Sequence, residues 1–164
     1  VPEKGLHYLV KAFCELNTDM ELAVVGEASF TDRYVKNVRR MANEHVRFLG
    51  AVWQDELAQL YKNCYLVAAP SEIEGFGLVV VEAMSYGKAV LVSDIPVFSE
   101  ITAGKGFYFK TGDYADLKLK LRSLLDNPDK IEKMGKQARK YVLENYSWDR
   151  AAEKMEKVYA GICN

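Results

Sequence analysis

The sequence predicts an α/β domain built on a doubly wound parallel sheet, and three observations predict it. Short apolar runs that do not alternate with polar residues recur along the chain, of which 65–69 is the clearest. Strands buried on both faces read this way. Between these runs lie segments whose apolar residues repeat at helical spacing, and strands alternating with helices lead to parallel pairing through right-handed crossovers. Turn residues close most of the runs, as at Gly26, Gly50, Pro70–Ser71 and Ser93–Asp94. In such sheets ligands sit at the carboxyl ends of the strands, near the switch in strand order. The loops at 26–27, 50–51, 71–77 and 93–94 all lie at those ends.

Taken in order, residues 1–5 read as a loop and 6–16 as a helix with Leu6, Leu9, Val10, Phe13 and Leu16 on one face. A helix in that place normally follows a strand, so the expectation is a sheet whose first, central strand is missing. Residues 20–25 form an apolar strand closed by Gly26. Residues 31–43 form a helix with a basic outer face (Arg33, Lys36, Arg39, Arg40), and 46–50 a strand. Residues 55–63 form a helix carrying Leu57, Leu60 and Tyr61, before the central strand 65–69. An apolar helix runs from Leu78 to about Tyr86 and stops at Gly87. Residues 89–92 are a strand, 97–101 a short helix and 106–109 a short last strand holding Phe107, Tyr108 and Phe109. Two helices follow, 114–125 and 128–144, and Ser147 caps a final amphipathic helix with Trp148, Ala152, Met155 and Tyr159. Trp148 reads as a core or interdomain packing residue.

Composition narrows the function. The 164 residues suit one domain able to bury a core, with 49% hydrophobic and 27% charged residues. A formal net charge of -1 lacks the basic excess of a nucleic-acid binder. No apolar run approaches the roughly 20 residues that span a bilayer. Cys14, Cys64 and Cys163 are odd in number and unspaced for a metal or disulfides, which suggests a reducing cytoplasm. His7 and His45 are too few and too far apart for a ligand cluster.

The stretch 69–84 carries the chemistry. Strand, glycine loop and helix in that order make an anion cradle, because the first N–H groups of a helix lack partners and the macrodipole favours negative charge there. Gly75 and Gly77 let the backbone approach a ligand. Phe76, Gly77, Leu78 and Val79 can offer N–H groups to a diphosphate, with Glu74 before the cradle and Glu82 one helical turn inside it. Two carboxylates flanking a diphosphate suit a nucleotide-sugar, one for the sugar hydroxyls and one for the ribose diol. Bland alternatives stand beside this: Glu74 as a solvated loop acid, Glu82 as half of a structural ion pair, Lys4 as an ordinary surface lysine.

Glu74-Gly-Phe-Gly-Leu-x-x-x-Glu82 followed by Ala83-Met84-x-x-Gly87 resembles the E-x7-E signature of the retaining GT-B glycosyltransferases of family four. The resemblance runs from Lys4 to about Tyr159. It implies the Rossmann-like C-terminal half of a GT-B enzyme: a nucleotide-sugar-binding domain over 1–164, with the acceptor-binding domain elsewhere and this chain inactive alone. It gives Glu74 the donor sugar and the positive charge developing at the anomeric carbon, and Glu82 the ribose. It gives Lys4 the donor β-phosphate, beside an arginine that would fall just before Val1. Gly26 matches the family's second strand and 46–50 its third, so the base would lie near Arg47 and Phe48. Glu100, in the loop after Ser93-Asp94-Ile95-Pro96, is implied to be a structural partner.

The implied donor is a UDP- or GDP-linked hexose, with no further cofactor and no metal, in keeping with the lack of an Asp-x-Asp cluster. The acceptor, a glycan or lipid, and any peripheral contact with the inner face of the membrane would belong to the other domain. Rival readings are a sugar-nucleotide epimerase or phosphorylase on the same two-domain plan, a glycoside hydrolase, and a non-enzymatic α/β binding domain. A hydrolase holds its two carboxyl groups about 5–9.5 Å apart around one bond. A phosphorylase needs a lysine for pyridoxal phosphate, which nothing here marks.

Overall fold

The computed structural model describes residues 1–27 and 32–162. A 3-10 turn over Pro2–Lys4 stands where the sequence suggests a loop. Pro2 presets φ for the turn, and left-handed Gly5 closes it by donating its N–H to Pro2 O at 2.8 Å. The chain then passes through α1 (Leu6–Cys14), β1 (Leu22–Val25), α2 (Asp32–Met41), β2 (Val46–Gly50), α3 (Gln54–Asn63), β3 (Leu66–Ala69), α4 (Leu78–Ser85) and β4 (Ala89–Ser93). It ends with α5 (Pro96–Thr102), β5 (Phe107–Phe109), α6 (Tyr114–Leu125), α7 (Pro128–Asn145) and α8 (Trp148–Ile162). Thr31, where the sequence places the start of α2, and Cys163 lie outside the described residues.

Every described strand pair is parallel, as the alternating pattern requires. The pairs nevertheless form two sheets, β1-β2 and β3-β4-β5. No described strand joins them by hydrogen bonds. They are held by one shared hydrophobic cluster, in which Leu22, Val24 and Phe48 of the first sheet meet Leu66, Ala68, Leu91 and Phe109 of the second under α1 and α6. A second cluster covers the other face of the larger sheet, where Val67, Ala69, Val90 and Val92 pack with α3, α4, α5 and α7. Central position in that sheet falls to β4, which is buried at every residue, and not to β3, which ends the sheet and is only half-buried. The two runs look alike in sequence, and pairing on both edges distinguishes them.

Two helices show which forces decide. In α4, three consecutive valines carry a small propensity cost of a few tenths of a kcal/mol each. Complete burial of Val80, Ala83 and Met84 outweighs it, at roughly 1.5–3 kcal/mol for each large side chain. In α8 no residue is buried, and Trp148 is 90% exposed, so Trp148 is not a core residue of the described structure. Ser147 does cap that helix, accepting from Arg150 N at 3.2 Å. Among the described residues no helix is long and apolar enough to cross a membrane.

Candidate functional site

The 3-10 turn is docked against the loop after β3, and this contact builds the site. Glu72 N donates to Glu3 O at 2.8 Å. A Cβ on Gly5 would lie 1.9 Å from Pro70 O, so the two backbones touch where only glycine fits. Lys4 and Glu74, seventy residues apart, are thereby brought into an ion pair between Nζ and Oε1. The lysine side chain is 52% exposed and the carboxylate 16%. Ser71, itself buried, also donates to Glu74 Oε1, at 3.3 Å. A pair this open to water adds little stability, about 0.2–1 kcal/mol. Its value is positional: the acid is tethered and only partly exposed, and a cation stands beside it at the carboxyl edge of the larger sheet.

The opening turn of α4 comes next. Gly77 is its N-cap, in the left-handed region at φ 82°, packed so closely that a Cβ would meet Phe98 Cε1 at 2.9 Å. No side chain caps this helix among the described residues, so its first amides are left for water or a ligand. Leu78 and Val79 are 64% and 52% exposed, and the turn is open rather than covered by packed apolar groups. Gly75 differs: its φ is ordinary and a Cβ there would meet nothing within 4 Å. Phe76 is exposed and lies edge-on to Tyr146, with ring centroids 5.9 Å apart.

Glu82, one turn further along α4, is exposed rather than buried. Its partner is a neutral phenol and not a cation: Tyr61 of α3 donates to Glu82 Oε2 at 2.9 Å. The Tyr61 ring is buried in the second cluster and stacks on Tyr86 at 5.3 Å. Sequence reading places Tyr61 with Leu57 and Leu60 as packing residues of one helix and misses its hydroxyl. Ser71 is missed for a similar reason, since a serine ending a strand reads as punctuation. Neither carries a local signal, because both act across elements.

The remaining expected residues are dispersed. Gly26 N donates to Gly50 O at 2.8 Å, joining the carboxyl ends of β1 and β2. Arg47 forks onto Glu21 Oε1 at 2.9 and 3.0 Å, on the exposed surface. Phe48 packs against the first cluster, with the Arg39 guanidinium 4.4 Å from its ring centroid. Glu100 is exposed, and its charge acts on Tyr146. Asp94 ties the last two edge loops together by accepting from Thr111 N and Oγ1, and those bonds hold its carboxyl below its ordinary value. Away from this edge, an open hollow of about 440 Å³ lies on α2, lined by Arg33, Lys36, Asn37 and Arg40. Among the described residues its lining carries no acid and comes from one face of α2.

The chain is similar to known proteins in sequence and in fold. The profile of the family described as "Glycosyl transferases group 1" matches residues 1–141. A sulfoquinovosyl transferase of Arabidopsis thaliana is 35% identical over 158 residues, which is 93% of this chain and 30% of that protein. The O-antigen chain mannosyltransferase of Salmonella typhimurium is 30% identical over 149 residues, 88% of this chain and 41% of its own length. In three dimensions, the crystal structure of Anabaena HepE in complex with UDP and glucose superimposes with a TM-score of 0.90 at 25% identity, covering 98% of this chain and 46% of that one. The chain thus spans less than half the length of these relatives.

Proposed function

The chain belongs to the group 1 glycosyl transferases, and from that premise we propose that it is the nucleotide-sugar-binding domain of a retaining glycosyltransferase. An acceptor-binding domain completes the active cleft, and the chain alone is inactive. The observation that carries this reading is the uncapped, open N-terminus of α4 with the Lys4–Glu74 pair beside it. A donor diphosphate lies on the amides of 76–79, with Lys4 leaving Glu74 for the β-phosphate. Glu74 is then free to accept from the sugar hydroxyls and to stabilise positive charge at the anomeric carbon. Glu82 accepts from the ribose diol. The bond from the anomeric carbon to the phosphate oxygen breaks, the acceptor oxygen attacks on the same face, and its proton passes to the departing diphosphate. That a similar structure was solved with UDP and glucose supports a uridine diphosphate donor here.

Calorimetry and thermal shifts with UDP, GDP and ADP test the reading. A ligand at ten times its Kd should stabilise the chain by roughly 1.4 kcal/mol. Glu82→Gln is expected to weaken the best of the three about tenfold, the scale of one charge-assisted hydrogen bond, and to leave inorganic pyrophosphate unaffected. Binding of none of the three, or unchanged nucleotide affinity in Glu82→Gln, refutes it.

A further inference from the structure

We propose that Tyr61 is a positioning residue for nucleoside recognition: its hydroxyl holds Glu82 Oε2, leaving Oε1 to accept from the ribose. This rests on the reading of Glu82 given above. Glu82 stands on the exposed side of α4, where a glutamate with three rotatable bonds would otherwise lose freedom on binding. Tyr61 removes much of that cost in advance. Its ring is fixed on one side by burial against the second cluster and on another by the stack with Tyr86, so the hydroxyl has one place to be. The bond of 2.9 Å to Oε2 spans α3 and α4.

The chemistry of the pair suits a diol. A tyrosine hydroxyl donates to the carboxylate without neutralising it, and the carboxylate keeps its remaining lone pairs for two hydroxyl donors. A lysine in the same place would offer the ligand's phosphates a second anchor and draw them away from the α4 amides. Burial, and then the bond to Glu82, push the Tyr61 phenol well above its ordinary value, so it remains a donor throughout the physiological range. A phenylalanine would fill the same space and leave Glu82 free to turn.

The test uses the full chain and whichever of UDP, GDP and ADP binds most tightly, with that nucleotide's 2′-deoxy form and inorganic pyrophosphate. Wild type is expected to prefer the ribonucleotide about tenfold. Tyr61→Phe should shrink that preference to about threefold or less with pyrophosphate affinity unchanged, and adding it to Glu82→Gln should shrink it no further. A full preference in Tyr61→Phe, when Glu82→Gln has lost it, overturns the role of Tyr61 alone. Loss of pyrophosphate binding or of the fold in Tyr61→Phe gives the hydroxyl a packing role and overturns it too. No preference in wild type, or one that Glu82→Gln leaves intact, refutes the ribose reading and takes this proposal with it.

Discussion

Glu74→Ala is expected to lower sugar transfer by the complete enzyme about 10²- to 10³-fold, the scale seen when one preorganised electrostatic group is removed from a transition state. Ser71 still donates to the acid after Lys4 has moved to the phosphate, and the carboxylate is mostly shielded from water, which is the condition under which such a group acts strongly. The loss should fall on kcat, with donor affinity changed far less, because charge at the anomeric carbon develops only as the bond to phosphate breaks. Removing Glu74 also releases Lys4 from its carboxylate partner, so the diphosphate should bind no worse. Turnover near the wild-type rate would take Glu74 out of the reaction.

Gly5→Ala is expected to be the most damaging single methyl group added near the site. Gly5 sits at φ 65°, where an alanine costs roughly 1–2 kcal/mol. The new Cβ would also fall 1.9 Å from a backbone oxygen, Pro70 O, which cannot rotate away as a side chain could. Overpacking of that kind costs about 1–3 kcal/mol. Together they come to about 3 kcal/mol, a fall of roughly 10 °C in Tm for a chain of this size. The strain can be relieved only by parting the 3-10 turn from the 70–77 loop, which separates Lys4 from Glu74, so nucleotide affinity should fall along with stability. Gly75→Ala is the matched control, since a Cβ there meets nothing and should leave Tm within about 1 °C. Equal melting temperatures for the two variants would refute the docking of turn on loop.

Much of this was legible in the sequence because its elements are specified locally. The β3–loop–α4 unit announces itself: an apolar run, then Pro70, two glycines and an apolar helix, and the structure begins α4 at Leu78 as that pattern requires. Ser147 caps the helix that follows it. What was not legible depends on partners distant in the chain. The apolar run of β3 does not reveal that it ends a sheet, because strand order is a property of pairing. Nor does the identity of Trp148 reveal that its helix buries none of its residues among the described ones. Glu82 looks like an acid in need of a cation until α3 is seen to bring Tyr61 beside it. Lys4, one of 22 basic residues, becomes distinctive only once Gly5 and Pro70 touch.

The central claim is that a donor diphosphate docks on the first turn of α4, and backbone amide NMR of the chain titrated with UDP reads it most directly. Saturable shifts are expected at the amides of Phe76, Gly77, Leu78 and Val79, accompanied by Lys4, and abolished when Gly5→Ala moves the turn away. Saturable binding whose shifts centre instead on the basic face of α2, at Arg33, Lys36, Asn37 and Arg40, with the 76–79 amides unmoved, would contradict it.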